Sequence, residues 1–476
     1  MRAPAPTTTK ILATMGPASE SPHRARALLQ AGATAFRMNF SHGAHKDHAE
    51  RFATVREVAD DLGRHVPIIS DMQGPKLRVG KIDGGTLKLG YGDEVDAVLG
   101  EEAPAGTIPI PHPELFEALK PGDSVMMDDG FIRLEVLDCK AEKLTCKVEV
   151  PGPLTDRKGV NIPGRKLNIN ALTAKDLRDL DFALDQGTDY VALSFVQSAA
   201  DVAAARKIIG NRARIISKIE KPSALDDLPA IIAESDGVMV ARGDLGVELP
   251  LEQVPPAQRQ IIRLARSQGK LVIVATQMLQ SMVDAPTPTR AEAQDTAAAV
   301  YYGADAVMLS AESAVGRHPE AAVAIMARII RAASQDPTYH EEMESVLLDL
   351  DANSTAAAIA TAASYAADTT DAAALIASTE SGSTAYAIAQ LRPEQPILAV
   401  TPVAKTARQT ALAWGVTPHH VSRPGDFEAL TQASTSLAKE ALSLNADDHL
   451  VLLAGIPTGT AGGTNTMKII RVGDET

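Results

Sequence analysis

RIISKIEKPSALDDLPAIIAESDGVMVARGDLGVE, residues 214–248, reads as strand, helix, strand, with ionisable groups where each strand runs out. Ile215 and Ile216 open an apolar run that Lys218 and Glu220 interrupt two residues apart. Side chains alternate across a strand, so both charges face one side and Ile219 the other. The second strand, expected over 237–241, ends in Arg242-Gly243-Asp244. Charged groups of mixed sign at strand ends make poor core, and they suit a metal ion and a phosphate.

The same unit repeats on either side. Upstream, Lys10–Thr14 reads as a strand ending at Gly16-Pro17, with Ser21-Pro22 starting a helix. A second strand over 35–40 puts Arg37, Asn39 and Ser41 on one face and Met38 and Phe40 on the other. A third over 66–70 is closed by Asp71, and βαβαβ is the mark of a parallel sheet wrapped in helices. Downstream, runs at 190–195, 215–220, 237–241, 271–275 and 306–309 bring the strands to eight, and polar residues (Ser194, Thr276, Ser310) sit at their ends. Lys218, Asp244, Thr276 and Ser310 follow one another at roughly the 31-residue spacing of a (β/α)₈ barrel of about 250 residues. In that fold the active site lies at the ends of the strands.

Between residues 76 and 163 the helical periods vanish. Turn signals such as Asp83-Gly84-Gly85 and Asp129-Gly130 separate period-two strands, predicting a small antiparallel β-domain. Gly74-Pro75 and Pro163-Gly164 read as its two hinges. The barrel is therefore expected over 1–75 plus 164–336, the insertion over 76–163, and a smaller α/β domain over 337–476 with strands at 373–378, 396–400 and 449–455.

Composition is that of an ordinary globular protein, 45% hydrophobic and 22% charged. A net charge of -14 argues against nucleic acid or anionic membrane as main partners. Two cysteines, Cys139 and Cys146, fit a reduced, cytoplasmic setting. The first residues hold no apolar signal segment, and no charge-free apolar run reaches the roughly 18 residues of a membrane span. The Ala-rich stretch 354–367 is too short for one and reads as a soluble helix.

Spacing alone leaves the chemistry open. Glu220 and Asp244 could give hard oxygen ligands to Mg²⁺, or could be solvated carboxylates paired with nearby cations. Lys218 could hold a transferring phosphoryl group or an enolate oxygen by charge, or simply pair with Glu220. Gly243 allows close approach of a ligand at a helix N-terminus. Thr276 could reach substrate or cap a helix.

TKILATMGPAS at 9–19, FRMNFSHG at 36–43, KGVNIPG at 158–164, IISKIEKP at 215–222, VMVARGDLGVE at 238–248, VIVATQML at 272–279 and VMLSAESAVG at 307–316 all resemble pyruvate kinases, in order along nearly the whole chain. The resemblance implies a (β/α)₈ TIM barrel, an inserted small β-barrel lid and a C-terminal α/β regulatory domain. It implies a homotetramer acting on phosphoenolpyruvate and ADP to give pyruvate and ATP, with Mg²⁺ or Mn²⁺ on Glu220 and Asp244. Lys218 matches the lysine that stabilises the phosphoryl group and the enolate. Arg37 matches a phosphate contact, and Gly243, Asp244 and Thr276 match the groups holding the substrate carboxylate. Thr276, with ordered water, is the expected route of the proton. Asn39, His42, Arg78 and Lys158 match positions near the nucleotide phosphates.

Many relatives of this kind bind K⁺ through residues matching Asn39, Ser41 and Asp71. Here the position of a family glutamate is Lys76, and Val79 follows where potassium-requiring members tend to have threonine. A lysine ammonium can stand in for the ion, so the chain resembles the potassium-independent branch; the alternative is a lysine on the lid surface. In the C-terminal domain, Thr379, Ser381, Gly382, Ser383 and Thr384 match a loop that holds an effector phosphate in allosteric members, or else they only cap a helix. A second glycine-rich loop, residues 458–464, could close over the same phosphorylated small molecule. Two rivals remain: a metal-dependent lyase or aldolase of pyruvate enolate, and a metabolite-binding regulator on a dead barrel. The first would not need the lid, the Arg37–His42 motif or the C-terminal domain. The second predicts loss of Lys218, Glu220 or Asp244, and all three are present.

Overall fold

A computed structural model describes residues 7–167, 169–347, 354–457 and 463–474. Eight strands, β1 (Lys10–Thr14), β2 (Ala35–Asn39), β3 (Ile68–Asp71), β4 (Tyr190–Leu193), β5 (Arg214–Ile219), β6 (Gly237–Ala241), β7 (Leu271–Ala275) and β8 (Ala306–Leu309), form a closed parallel barrel. Each pairs with its sequence neighbours, and β8 closes on β1 through Lys10 opposite Ala306. These strands are almost wholly buried, which is why they read as unbroken apolar runs.

Strand ends differ from expectation by a residue or two, because pairing with neighbours decides where a strand stops. Asp71 is the last residue of β3, opposite Asn39 and Ala192, and Glu220 lies just past β5. Capping supports the barrel's helices: Ser21 and Thr173 accept from backbone N–H groups at the starts of Pro22–Ala31 and Ala174–Asp185.

The insertion holds a six-stranded sheet and a two-stranded ribbon, Thr86–Leu89 with Gly152–Thr155, wrapped around one core of their own. Two features were not foreseen. A short helix, Pro113–Ala118, sits among the strands, and Glu94–Leu99 pairs parallel, not antiparallel, with Ile108–Ile110. The chain leaves the barrel through Gly74 at φ +69°, where an added Cβ would come within 2.9 Å of Ser194.

The C-terminal sheet has five strands in the order Val416–His420, Ile397–Thr401, Ala374–Ser378, His449–Gly455, Thr464–Arg471, the last antiparallel. The two strands beyond the expected three are its edges, where a proline or a polar alternation is tolerated and the apolar signal is weak. The Ala-rich stretch is the helix Thr355–Thr369, capped by Ser354. One hydrophobic core runs from the barrel into this domain. Fully buried Arg392 and Asp305 pair across the junction at 3.1 Å. No helix among the described residues is long and apolar enough to cross a membrane.

Candidate active site

The barrel gathers its charges where β2, β3, β5 and β6 end. The Lys218 ammonium lies 2.8 Å from Glu220 Oε1 and 3.3 Å from Asp71 Oδ1, and donates to Ser194 Oγ at 2.7 Å. Arg37 Nε donates to the other oxygen of Asp71 at 2.6 Å, and its Nη1 to Thr14 Oγ1 at 3.2 Å. Burial favours a neutral lysine, but Asp71 and Glu220 outweigh it and hold Lys218 well above its ordinary pKa. Burial also opposes charge on Asp71, and there Lys218 and Arg37 win and keep it ionised. Asp71, expected beside a monovalent cation, thus ties together the two cations expected to meet phosphate.

Glu220 is fully buried. Its Oε2 accepts from the Phe195 N–H at 2.7 Å, whereas Oε1 has the ionic contact with Lys218 but no hydrogen bond of good geometry. Burial raises its pKa; Asp244 adds to the rise and Lys218 opposes it. A buried carboxylate oxygen with lone pairs to spare, within electrostatic reach of Asp244 in the helix that follows the next strand, is chemistry that a divalent cation would relieve. Among the described residues no group of three or more His, Cys, Asp or Glu side chains could hold a metal. A set of two carboxylates suits Mg²⁺, which keeps part of its shell for water and substrate oxygens.

Gly243 and Thr276 meet across β6 and β7. The Gly243 N–H donates to Thr276 Oγ1 at 2.7 Å, and that hydroxyl donates to the Ala275 carbonyl at 2.6 Å. Thr276 is not a helix cap: it and Gln277 have φ of +69° and +54°, and the next helical turn begins only at Gln280. A β-branched residue in the left-handed region costs on the order of 1–3 kcal/mol and persists only where its surroundings hold it. Arg242, singled out by its place at the strand end but given no role of its own, donates to the Thr276 carbonyl at 2.6 Å and to Asp295. Its place beside Gly243-Asp244 was the available signal.

Lys76, expected near Asn39, Ser41 and Asp71, directs its ammonium to Asp244 Oδ1 at 3.3 Å, with Asp129 at 3.9 Å. Asn39 Oδ1 accepts from the Ser41 N–H at 3.1 Å, and His42 is exposed on the loop beyond β2. Arg78 and Lys158 lie on adjacent segments of the insertion, joined by the Arg78–Gly159 bridge. Arg78 Nη1 donates to the Arg157 carbonyl at 3.0 Å, and Lys158 pairs with Asp128 at 2.7 Å.

In the C-terminal domain, Ser378, Thr379, Ser383, Thr384, Arg423 and Thr464 line a small cavity of about 40 Å³. Gly382, at φ +93°, precedes the helix Ser383–Leu391, and its N–H donates to Thr379 Oγ1 at 2.9 Å. Ser381 Oγ lies 3.3 Å from Ser383 Oγ, and Thr384 Oγ1 is 2.6 Å from Thr464 Oγ1. Of the second loop, residues 458–462 lie outside the described residues, while Gly463 and Thr464 line the cavity.

Residues 6–323 match the family model described as pyruvate kinase, barrel domain, and residues 357–470 match pyruvate kinase, alpha/beta domain. A pyruvate kinase of Agrobacterium vitis is 47% identical over 466 residues, covering 98% of each chain. One from Mycobacterium tuberculosis is 40% identical over 470 residues, again 98% of each chain. The crystal structure of a pyruvate kinase from Cryptosporidium parvum superposes with a TM-score of 0.93 at 34% identity, covering 98% of this chain and 96% of the other.

Proposed function

The chain belongs to the pyruvate kinase family, and on that premise we propose that Lys218, Arg37 and Thr276 carry its reaction. The enzyme transfers the phosphoryl group of phosphoenolpyruvate to ADP. The bond from phosphorus to the enol oxygen breaks, one forms to an oxygen of the ADP β-phosphate, and the enolate takes a proton at its methylene carbon. The observation that carries the assignment is the Lys218 ammonium, largely buried and kept charged between Asp71 and Glu220. Such a fixed cation stabilises charge on the phosphoryl group in flight and on the enolate oxygen it leaves. Arg37, steered by Asp71, binds the substrate phosphate. Gly243, Asp244 and Thr276 are assigned to the carboxylate end, where the Gly243 N–H would exchange Thr276 Oγ1 for a substrate oxygen, and Thr276, through ordered water, is assigned to delivery of the proton. Glu220 and Asp244 would hold the divalent ion, Mg²⁺ or Mn²⁺, whose charge offsets that of the phosphate and carboxylate oxygens when bound.

Asn39, His42, Arg78 and Lys158 are assigned to the nucleotide phosphates. Arg78 and Lys158 belong to the lid, residues 76–163, whose separate core and glycine hinges suit a rigid body that closes and excludes water. The barrel is assigned to 1–75 plus 164–336 and the regulatory domain to 337–476. The cavity beside Thr379, Ser381, Gly382, Ser383 and Thr384 is assigned to a phosphorylated effector, with Arg423 as the cation at its edge. Lys76 makes the enzyme independent of K⁺ by placing a fixed charge at the mouth, on Asp244. A cytoplasmic homotetramer completes the reading.

The test is pyruvate formation from phosphoenolpyruvate and ADP with Mg²⁺, in potassium-free buffer and then with KCl. Full activity without K⁺ is expected. Activity only with K⁺ would discard the role of Lys76, and no dependence on a divalent ion would discard that of Glu220 and Asp244.

A further inference from the structure

We propose that Arg242, clamped by Asp295, is a positioning residue for the protonation half of the reaction: it holds the Thr276 backbone in the left-handed conformation that sets its hydroxyl against the Gly243 N–H at the end of β6. The proposal rests on the role given to Thr276 above.

All three nitrogens of the guanidinium are committed. Nη1 donates to both Asp295 oxygens, at 2.6 and 2.5 Å. Nη2 donates to the Thr276 carbonyl at 2.6 Å and touches Met278 Sδ at 2.8 Å, while Nε reaches the Ala275 carbonyl at 3.4 Å. An arginine beside the Gly243-Asp244 pair invites the reading of a phosphate contact, but this one has no face left for substrate. Its side chain is 10% exposed, and it spends its donors on the end of β7.

Two successive residues after β6 therefore grip one residue after β7 from opposite ends. Arg242 takes the Thr276 carbonyl, and the Gly243 N–H takes its hydroxyl. The hydroxyl proton is in turn directed to the Ala275 carbonyl at 2.6 Å. Thr276 at φ +69° and Gln277 at +54° are two consecutive non-glycine residues in a region that L-residues avoid. A contact that can hold them there must be rigid and forked. Guanidinium is planar and satisfies both demands, whereas a lysine ammonium is a single point charge on a flexible stem. Asp295, from the helix Arg290–Tyr301, sets the plane of the fork. A misplacement of about 1 Å in a reacting group can cost on the order of 100-fold in rate.

The test compares Arg242→Lys, Asp295→Asn and Thr276→Ala with the parent enzyme. Steady-state kinetics are read beside exchange of the pyruvate methyl protons into D₂O, with Mg²⁺ and ATP present, which reports the protonation step in reverse. Arg242→Lys should lower kcat and the exchange rate together, by on the order of 100-fold, with KM for phosphoenolpyruvate within about threefold. Thr276→Ala should lose exchange to a similar degree, and adding Arg242→Lys to it should cost little more, because the two act as a unit. Asp295→Asn should move the same quantities in the same direction by less, and it decides the matter if Arg242→Lys does not fold. Unchanged exchange in Arg242→Lys, a loss confined to KM, or full additivity with Thr276→Ala would overturn the proposal. If Thr276→Ala itself kept full exchange, the role of Thr276 would fall and this proposal with it. If Thr276→Ala lost exchange but Arg242→Lys did not, only the present proposal would fall.

Discussion

Arg214 donates a hydrogen bond from Nη2 to the main-chain carbonyl of Ser381 at 2.6 Å, joining the first residue of β5 to the hydroxyl-rich loop of the C-terminal domain. Its guanidinium also stacks over Tyr386, 4.6 Å from the ring centre. Four residues along the same strand stands Lys218. Anything that moves the loop therefore pulls directly on the strand that carries Lys218, the proposed phosphoryl-binding lysine.

Arg214→Met should accordingly cut the link without touching either site. Activity at saturating phosphoenolpyruvate is expected to stay within about threefold, while the shift in half-saturation caused by a phosphorylated effector is lost, with RT ln of that shift as the coupling energy. Substrate titrations with and without effector check it; a variant that responds as fully as the parent would show that coupling runs elsewhere.

Lys76 and Asp244 meet at 3.3 Å, so Lys76→Glu replaces an attraction at the mouth by a repulsion between carboxylates. The variant should be nearly inactive in potassium-free buffer and regain activity with KCl, because a monovalent cation then has a charge to bind. Parent and variant are assayed side by side across a KCl titration at constant ionic strength. Equal responses to K⁺ would show that Lys76 does not stand in for the ion.

Glu220 Oε1 is buried without a hydrogen bond, and Glu220→Gln should cost divalent-ion affinity more than stability. Titration with Mn²⁺, followed by its paramagnetic signal, should give a dissociation constant higher by on the order of tenfold or more, about 1.4 kcal/mol per factor of ten. Asp244→Asn should behave alike. Retained Mn²⁺ affinity in both would refute the ligand assignment.

Lys10 is buried at the junction of barrel and C-terminal domain, where its ammonium donates to the Val416 carbonyl at 2.8 Å. Burial, then the charge of Arg64, lowers its pKa to about 7, against a smaller opposing pull from Asp305. His65, His419 and His420 line the same recess. Between about pH 7 and the ordinary 10.5 the unfolded chain binds more protons at this residue than the folded one, so its contribution to stability rises with pH across that window. Lys10→Met should therefore stabilise the protein by roughly 1–3 kcal/mol at pH 6–7, after allowing for the carbonyl left unpaired. Near pH 10 the advantage should vanish or reverse. Unfolding midpoints at one scan rate, from pH 6 to 10, decide it; a difference independent of pH would mean that Lys10 titrates normally.

The barrel was legible because its physics is local. Strands buried on both faces need continuous apolar residues, and a strand that surfaces at a binding mouth must end in something polar. Lys218 and Glu220 could be placed on one face from their two-residue spacing, and the insertion betrayed itself by turn residues. The edge strands Val416–His420 and Thr464–Arg471 and the helix Pro113–Ala118 were not legible, since edges tolerate prolines and polar residues and a helix of 6 residues is too short to show a period.

What the chain determined by itself, then, was the order of its elements and the kinds of group at their ends. Which groups would face one another was decided only when the barrel closed and the inserted β-domain packed beside it. Lys76 and Asp244, 168 positions apart, meet because the insertion brings Lys76 to the end of β6; Arg242 and Asp295, 53 apart, meet because the helix Arg290–Tyr301 carries Asp295 back to the same end. Thr276 takes a backbone conformation that its own side chain disfavours because those distant groups hold it. Local periodicity reports which way a side chain leaves its strand, whereas charge pairing and strain depend on distances that only the assembled fold brings below 4 Å.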